Sequence, residues 1–309
     1  MADILNIIFS TDFAFSVLRV TTPILLAALG AFISNKAGIV NIGMEGIMLI
    51  GALTGVVVSA FTQNAWIGLL GAVVAGVAIS GVLAYFTLKF KTNIILGGVA
   101  INMFASGGTV FLLYLFSGDK GTSSSLQSKI LPNVDIPILK DIPILGPILS
   151  GHNVLTYISI VAVVFVYYLL KKTPLGLQIR SVGESPHAAQ SVGISVNKVQ
   201  CIALLLSGFF ASLGGAYMSM GYLSMFTRDM VAGRGWIAIA AEALGGGTTG
   251  GTFIASLAFG AAEAVANSFQ ILQIPAELIG TLPYVSTVIG LTVYAMIETK
   301  RKKKKAMNS

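Results

Sequence analysis

The sequence predicts an all-α fold, a polytopic transmembrane helical bundle of about 8–10 spans that includes one or two short or broken helices. Composition carries the first part of that reading. Of 309 residues, 55% are hydrophobic and 10% charged, where a soluble domain carries roughly 25% charged residues. Patterning carries the second, because apolar runs of about 20 residues, long enough to cross a bilayer, recur along the chain. Glycine carries the third: thirty-five of them in so apolar a chain favour close helix contacts and interrupted helices. The whole of 1–309 reads as a single transmembrane domain.

Residues 1–12 hold Asp3 and Asp12 but no Lys or Arg, which places them on the outer side. A first span covers about 13–33, with Arg19 near its start, where a long side chain reaches the headgroups. It lacks a basic leader and a small-residue cleavage site, so it reads as a span and not as a cleaved signal. Residues 34–52, SNKAGIVNIGMEGIMLIGA, interrupt the apolar pattern with Lys36, Asn41 and Glu45. They read as an inner turn and an irregular entry into a second span ending near Phe61. Backbone freed by such a break is tolerated only where protein or a water-filled cavity satisfies it.

A third span, about 66–88, closes on Lys89 and Lys91, which mark the inner side. A fourth, about 93–116, carries Asn102 in mid-span, where an amide must face other helices. The longest non-spanning stretch, residues 117–152, balances Lys120, Lys129 and Lys140 against Asp119, Asp135 and Asp141. Without a positive bias it reads as an extracellular loop. Its near-repeat DIPILK and DIPILG, residues 135–146, is apolar enough to pack on the membrane surface. A fifth span, about 153–170, leads back inside.

Residues 171–198 are a basic polar island between two apolar halves and read as a cytoplasmic loop with a helix of its own. Ser185 suits the N-cap, Pro186 the first helical position and Gly193 the position just past the end. That leaves 186–192, about two turns. A sixth span, about 199–220, runs out through SGFFASLGGA, rich in small residues. Arg228, Asp229 and Arg234 then lie in an outer or half-buried loop.

Parity makes the remainder informative. The basic run Lys300–Lys305, within the tail 299–309, reads as an inner membrane-surface anchor and not as a nucleic-acid patch. An odd number of crossings must therefore follow the loop, yet only two full-length apolar segments remain, about 252–271 and about 275–297. The missing crossing is residues 235–244, about half a span long, ending in the glycine-rich turn GGGTTGG at 245–251.

Polar groups that are expensive in hydrocarbon are the candidates for a transport path: Asn41, Glu45, Asn102, Glu242, Glu263 and Asn267. Each has a structural alternative. Glu45 either caps a broken helix or contacts a ligand. Glu242 and Arg234 each suit a pair with another segment. Glu263 and Asn267, four apart, share a helix face that suits a pore wall or interhelical hydrogen bonds. Glu277 suits the first turn of the last span. Phe209, Phe210 and Phe269 could stack on a base or simply pack. Cys201 alone forms no intrachain disulfide and no metal cluster. Neither His152 nor His187 sits in a span beside a nucleophile, so no catalytic set is expected, and no metal site.

Four stretches, NKAGIVNIGMEGIMLIGA, DIPILGPIL, VGESPHAAQSVGI and GRGWIAIAAEALGG, carry a resemblance spread over residues 35–246. The chain resembles the integral membrane permease of an ATP-binding-cassette (ABC) importer in the branched-chain amino acid, ribose and nucleoside group, and is most similar to the nucleoside branch. The resemblance implies that residues 184–194 are the coupling helix that docks on the cytoplasmic ATPase. Glu184, Ser185, Pro186, His187, Ala188, Ala189, Gln190 and Gly193 would form that contact. Many relatives have Asn and Lys or Arg where this chain has Ser185 and His187, which bears on partner choice.

No GxxxxGK[ST] run is present, so ATP and Mg belong to separate ATPase subunits and this chain carries no cofactor. Further implied partners are a second permease subunit, more typically a different one, and an extracellular substrate-binding protein. The implied location is a bacterial cytoplasmic membrane. The implied mechanism is alternating access for a nucleoside, with a sugar or branched-chain amino acid as alternatives. An ion-coupled secondary carrier is the rival from another class, and the two halves show no evident internal repeat in its favour.

Overall fold

A computed structural model describes residues 10–137 and 145–269. The expected last span at 275–297 with Glu277, the tail 299–309, and most of the DIPILK and DIPILG near-repeat lie outside the described residues, as does the side chain of Phe269. Within them the chain forms helices α1 (Thr11–Lys36), α2 (Met44–Thr62), α3 (Ala65–Ala84) and α4 (Ile94–Ser117). A short α5 (Leu145–Leu149) precedes α6 (Val154–Lys172), α7 (Pro174–Glu184) and α8 (Pro186–Ser191). Then come α9 (Val196–Tyr217), α10 (Arg234–Leu244) and α11 (Thr249–Phe269). α3 and α9 each run on through a π-helical turn, at Tyr85–Lys89 and Met218–Tyr222. Among the described residues seven helices are long and apolar enough to cross a membrane, and α10 is a half-length addition.

α1 is the central post. From Val20 to Ser34 it is buried without interruption, because α9, α11, α10 and α6 all pack around it. Small residues set how closely these helices approach. A Cβ on Gly215 of α9 would stand 1.9 Å from the carbonyl oxygen of Met48 in α2, so any larger residue there must drive the two helices apart. α4 is peripheral: it packs chiefly on α2 and leaves Met103, Phe104 and Phe111 exposed. An exposed apolar face of that kind suits lipid or another subunit, not water.

Both ends of the bundle are tied. At the end where α1 finishes, α7 lies directly on it: a Cβ on Gly183 would meet the Lys36 carbonyl oxygen at 2.1 Å. This is the island end. At the opposite end, residues 118–137 and 145–153 form a cap. Lys129 donates its N–H to Ser59 Oγ at 2.9 Å, and that hydroxyl donates back to the Lys129 carbonyl at 2.8 Å. Asn133–Val134 pairs antiparallel with His152–Asn153, and Leu131 and Ser123 are buried.

Two expectations need correction. The entry to the second span is irregular only over residues 37–43, and Glu45 already lies in the first turn of a regular helix. The polar island holds two helices, not one. Pro174 opens α7 with Thr173 as N-cap, its Oγ1 accepting from the Gly176 N–H at 3.1 Å. The capping signal was there to read; the glycines and charges around it masked the helix.

Candidate functional site

Two regions of the bundle hold polar groups away from bulk loops. The first is the break between α1 and α2. Asn41, fully buried, accepts from the Gly43 N–H at 3.0 Å and donates to Ser207 Oγ of α9 at 3.0 Å. Asn102 of α4 accepts from the Gly46 N–H at 2.8 Å and donates to the Ile42 carbonyl at 2.9 Å. These two amides thus satisfy backbone groups that the break would leave unpaired among apolar helices.

α10 begins against the same place. After α9 the chain does not turn back as a helix. Residues 223–233 run along the cap, with Thr227 bridged to Thr122, and then descend into the bundle. Ser224, Asp229 and Ala232 take positive φ on the way, a conformation that costs an L-residue of order 1 kcal/mol or more. At the foot of the descent the Glu45 carboxylate accepts from the Gly233 and Gly235 N–H groups, both at 2.7 Å. It satisfies two donors at the start of α10 and sets a negative charge against the positive end of its dipole. Glu45 therefore does cap a helix, but α10 and not its own.

Arg234, between those two glycines, forms a buried ion pair with Glu263 of α11. At the other end of α10, Glu242 accepts from Asn35 Nδ2 at 2.8 Å. The α10 helix, 11 residues or about 16 Å long, is thus pinned at both ends to α1, α2 and α11. Of the six path candidates, five are engaged in holding broken or half-length helices, and Asn267 is half-buried on α11. Glu263 and Asn267 share a face, yet Glu263 is turned to Arg234. Phe210 is buried and Phe209 36% exposed.

The second region is α8. Ser185 Oγ accepts from the Ala188 N–H at 3.3 Å, Pro186 is the first helical residue, and Gly193 takes φ +84° just beyond the end. Ala189 is buried beneath the helix, 3% exposed. Glu184, Pro186, His187, Ala188, Gln190 and Gly193 are exposed and Ser185 is half-buried. Val192, not among the sequence candidates, is 76% exposed. An apolar residue this open just past a capped helix is a feature the sequence reading passed over.

Outside the spans, His152 is buried and stacks on Phe15 with ring centroids 3.9 Å apart. Burial holds its pKa below the ordinary imidazole value, against the opposing effect of its bond to the Ile148 carbonyl. Among the described residues no group of His, Cys, Asp and Glu is placed to hold a metal ion.

The geometry is that of a multi-pass helical bundle with a half-length helix packed against its central post and an open, capped helix at one end. The chain belongs to the family described as branched-chain amino acid transport system / permease component, whose model matches residues 13–297. It is 37% identical over 281 residues to the guanosine ABC transporter permease protein NupQ of Bacillus subtilis, covering 87% of this chain and 88% of that one. It is 30% identical over 273 residues to the glucose ABC transporter permease protein TsgB13 of Haloferax volcanii, covering 83% of this chain and 70% of that one. Its fold is similar to PsaBC from Streptococcus pneumoniae, solved in complex with Fab, with TM-score 0.53 at 16% identity over 94% of each chain. As a permease component of an ABC transporter this chain is a transport subunit and not itself an enzyme.

Proposed function

We propose that the chain is the permease subunit of an ATP-driven importer for nucleosides in a bacterial cytoplasmic membrane, working by alternating access. The observation that carries the reading is α8, a capped helix with one buried residue and an exposed remainder, set at the end of the bundle where α7 and α9 pack on it. A helix so open has little to do for the bundle and a rigid, presentable surface for a partner. In this reading it is the coupling helix, the island end is cytoplasmic and residues 117–152 are extracellular. Glu184, Ser185, Pro186, His187, Ala188, Ala189, Gln190 and Gly193 form the coupling contact, with Val192 added.

ATP and Mg are held by the partner ATPases, whose two copies require two coupling helices and hence a second permease chain. Bacillus subtilis carries two guanosine ABC transporter permease proteins similar to this chain, NupQ and NupP, which favours two different permeases. Capture of substrate falls to an extracellular binding protein. The guanosine relative favours a nucleoside over a hexose, because it is the more similar, at 37% identity against 30%.

Uptake of labelled nucleoside by membrane vesicles carrying the whole transporter tests this. Uptake follows ATP and survives a proton uncoupler; dependence on the ion gradient in place of ATP overturns the reading. Replacing residues 186–191 by a Gly/Ser linker abolishes uptake while the chain remains in the membrane. Normal uptake by that variant would remove α8 from the mechanism.

A further inference from the structure

α3 and α4 both pack on α2 and leave a cleft of about 840 Å³ between them. Its walls are apolar: Val82, Leu83 and Phe86 come from α3 and its π-helical turn, Leu96, Ile101 and Phe104 from α4. α2 reaches the cap at Ser59, so α3 returns from the cap and the turn that joins it to α4 lies at the island end. From that turn the cleft reaches Phe104, ten residues into α4 after Ile94. That is roughly 15 Å, half of a hydrocarbon core about 30 Å thick. The cleft is one leaflet deep.

The turn at its mouth is cationic and held in shape. The Phe86 carbonyl accepts from the N–H groups of Phe90 and Thr92 at 3.2 and 3.3 Å, and Lys91 between them takes φ +54°, a conformation disfavoured for an L-residue. The Phe86 and Phe90 rings stack with centroids 5.7 Å apart, and Lys89 lies over the Tyr85 ring, its Nζ 4.9 Å from the centroid. Lys89 and Lys91 are both exposed, on the same turn as the lining residues Phe86, Thr92 and Asn93. No Asp or Glu occurs from Ala65 to Gly118, and among the described residues neither lysine is in an ion pair. The start of α4 adds the positive end of its dipole at the same place.

We infer that the cleft holds one anionic glycerophospholipid, with an acyl chain between α3 and α4 and its phosphate at Lys89 and Lys91. An apolar slot accounts for a chain and not for a charge; two lysines without a carboxylate account for a charge and not for a slot. A lipid with a negative headgroup matches both. A transmembrane helix of a second chain matches the slot less well, since it is twice as long as the cleft is deep. The lipid belongs to the leaflet at the island end, which is the cytoplasmic one in the reading above; only that name rests on that reading.

The test purifies the whole transporter from bilayers of mixed phosphatidylglycerol and phosphatidylcholine and counts the phospholipids retained on this chain by native mass spectrometry. The wild type keeps one phosphatidylglycerol, in roughly tenfold preference to phosphatidylcholine, the scale of a hydrogen bond to a charged group. Lys89→Gln combined with Lys91→Gln brings that ratio close to one. Ala100→Phe, which fills the cleft and leaves both lysines in place, keeps neither lipid. Ratio and count are read per recovered chain and do not depend on how much protein reaches the membrane. An unchanged ratio in the double variant, or phosphatidylglycerol retained by Ala100→Phe, overturns the assignment. So does cross-linking of Leu96→Cys, in a Cys201→Ser chain, to a second permease, which puts protein in the cleft. Absence of nucleoside uptake by the wild type overturns the preceding reading and leaves this one standing.

Discussion

The interior break and the α8 elbow are two places where this apolar chain admits clusters of polar residues, and they use them in opposite ways. Around residues 37–46 and 229–235 nearly every polar group has a partner: Asn41, Glu45 and Asn102 bond backbone, and Arg234 pairs with Glu263. Around 184–193 almost none beyond the N-cap is committed, and the side chains stand open. A polar residue inside a bundle thus signals first that the backbone is broken there. A polar residue left open on a short, rigid helix is the better pointer to a partner.

That contrast can be broken by mutation. Interior variants should lose the protein; elbow variants should lose transport and keep the protein. The largest effect belongs to Arg234→Ala, which strands the buried Glu263 carboxylate at a cost of about 3–5 kcal/mol. The amount of folded chain in detergent falls accordingly, and adding Glu263→Gln recovers part of it. Asn102→Leu follows, leaving the Gly46 N–H and the Ile42 carbonyl unpaired at about 1–3 kcal/mol each. A thermal unfolding scan with unchanged stability would show that water replaces the amide.

Ser185→Ala removes the α8 cap, worth about 1 kcal/mol locally. Membrane levels stay at wild type while substrate-stimulated ATP hydrolysis by the assembled transporter drops; a loss of protein instead would place α8 with the interior. The smallest effect is at His152. Its folded pKa is depressed, so the folded state holds the proton less tightly than the unfolded one. The stability this contributes is complete above the ordinary imidazole value, near 6.5, and is lost as pH falls through the lowered folded value. His152→Phe flattens the unfolding temperature between pH 7 and 5, where the wild type declines.

Much of the architecture could be read from the residues. Among the described residues the spans fall where apolar runs of about 20 residues lie. Parity alone located α10, found at Arg234–Leu244 against an expected 235–244. The Ser185–Pro186 start and Gly193 end of α8 were legible because capping is a local property of a few adjacent residues.

The site was less legible, since burial is not local. Nothing in the sequence says that Glu45 bonds a glycine 188 positions away, or that Asp229 meets Ser106 across the bundle. The charged pair Arg228–Asp229 just ahead of a half-length helix was visible and read as part of an outer or half-buried loop.

The glycine contact between α7 and the end of α1 has a mechanical consequence. With no side chain between Gly183 and the Lys36 carbonyl, there is no soft layer to absorb displacement at that joint. A displacement of α7 at that joint would pass backbone to backbone into α1, the most enclosed helix of the molecule. Widening that joint with Gly183→Leu would uncouple pull from response even in a chain whose ends both still fit their partners.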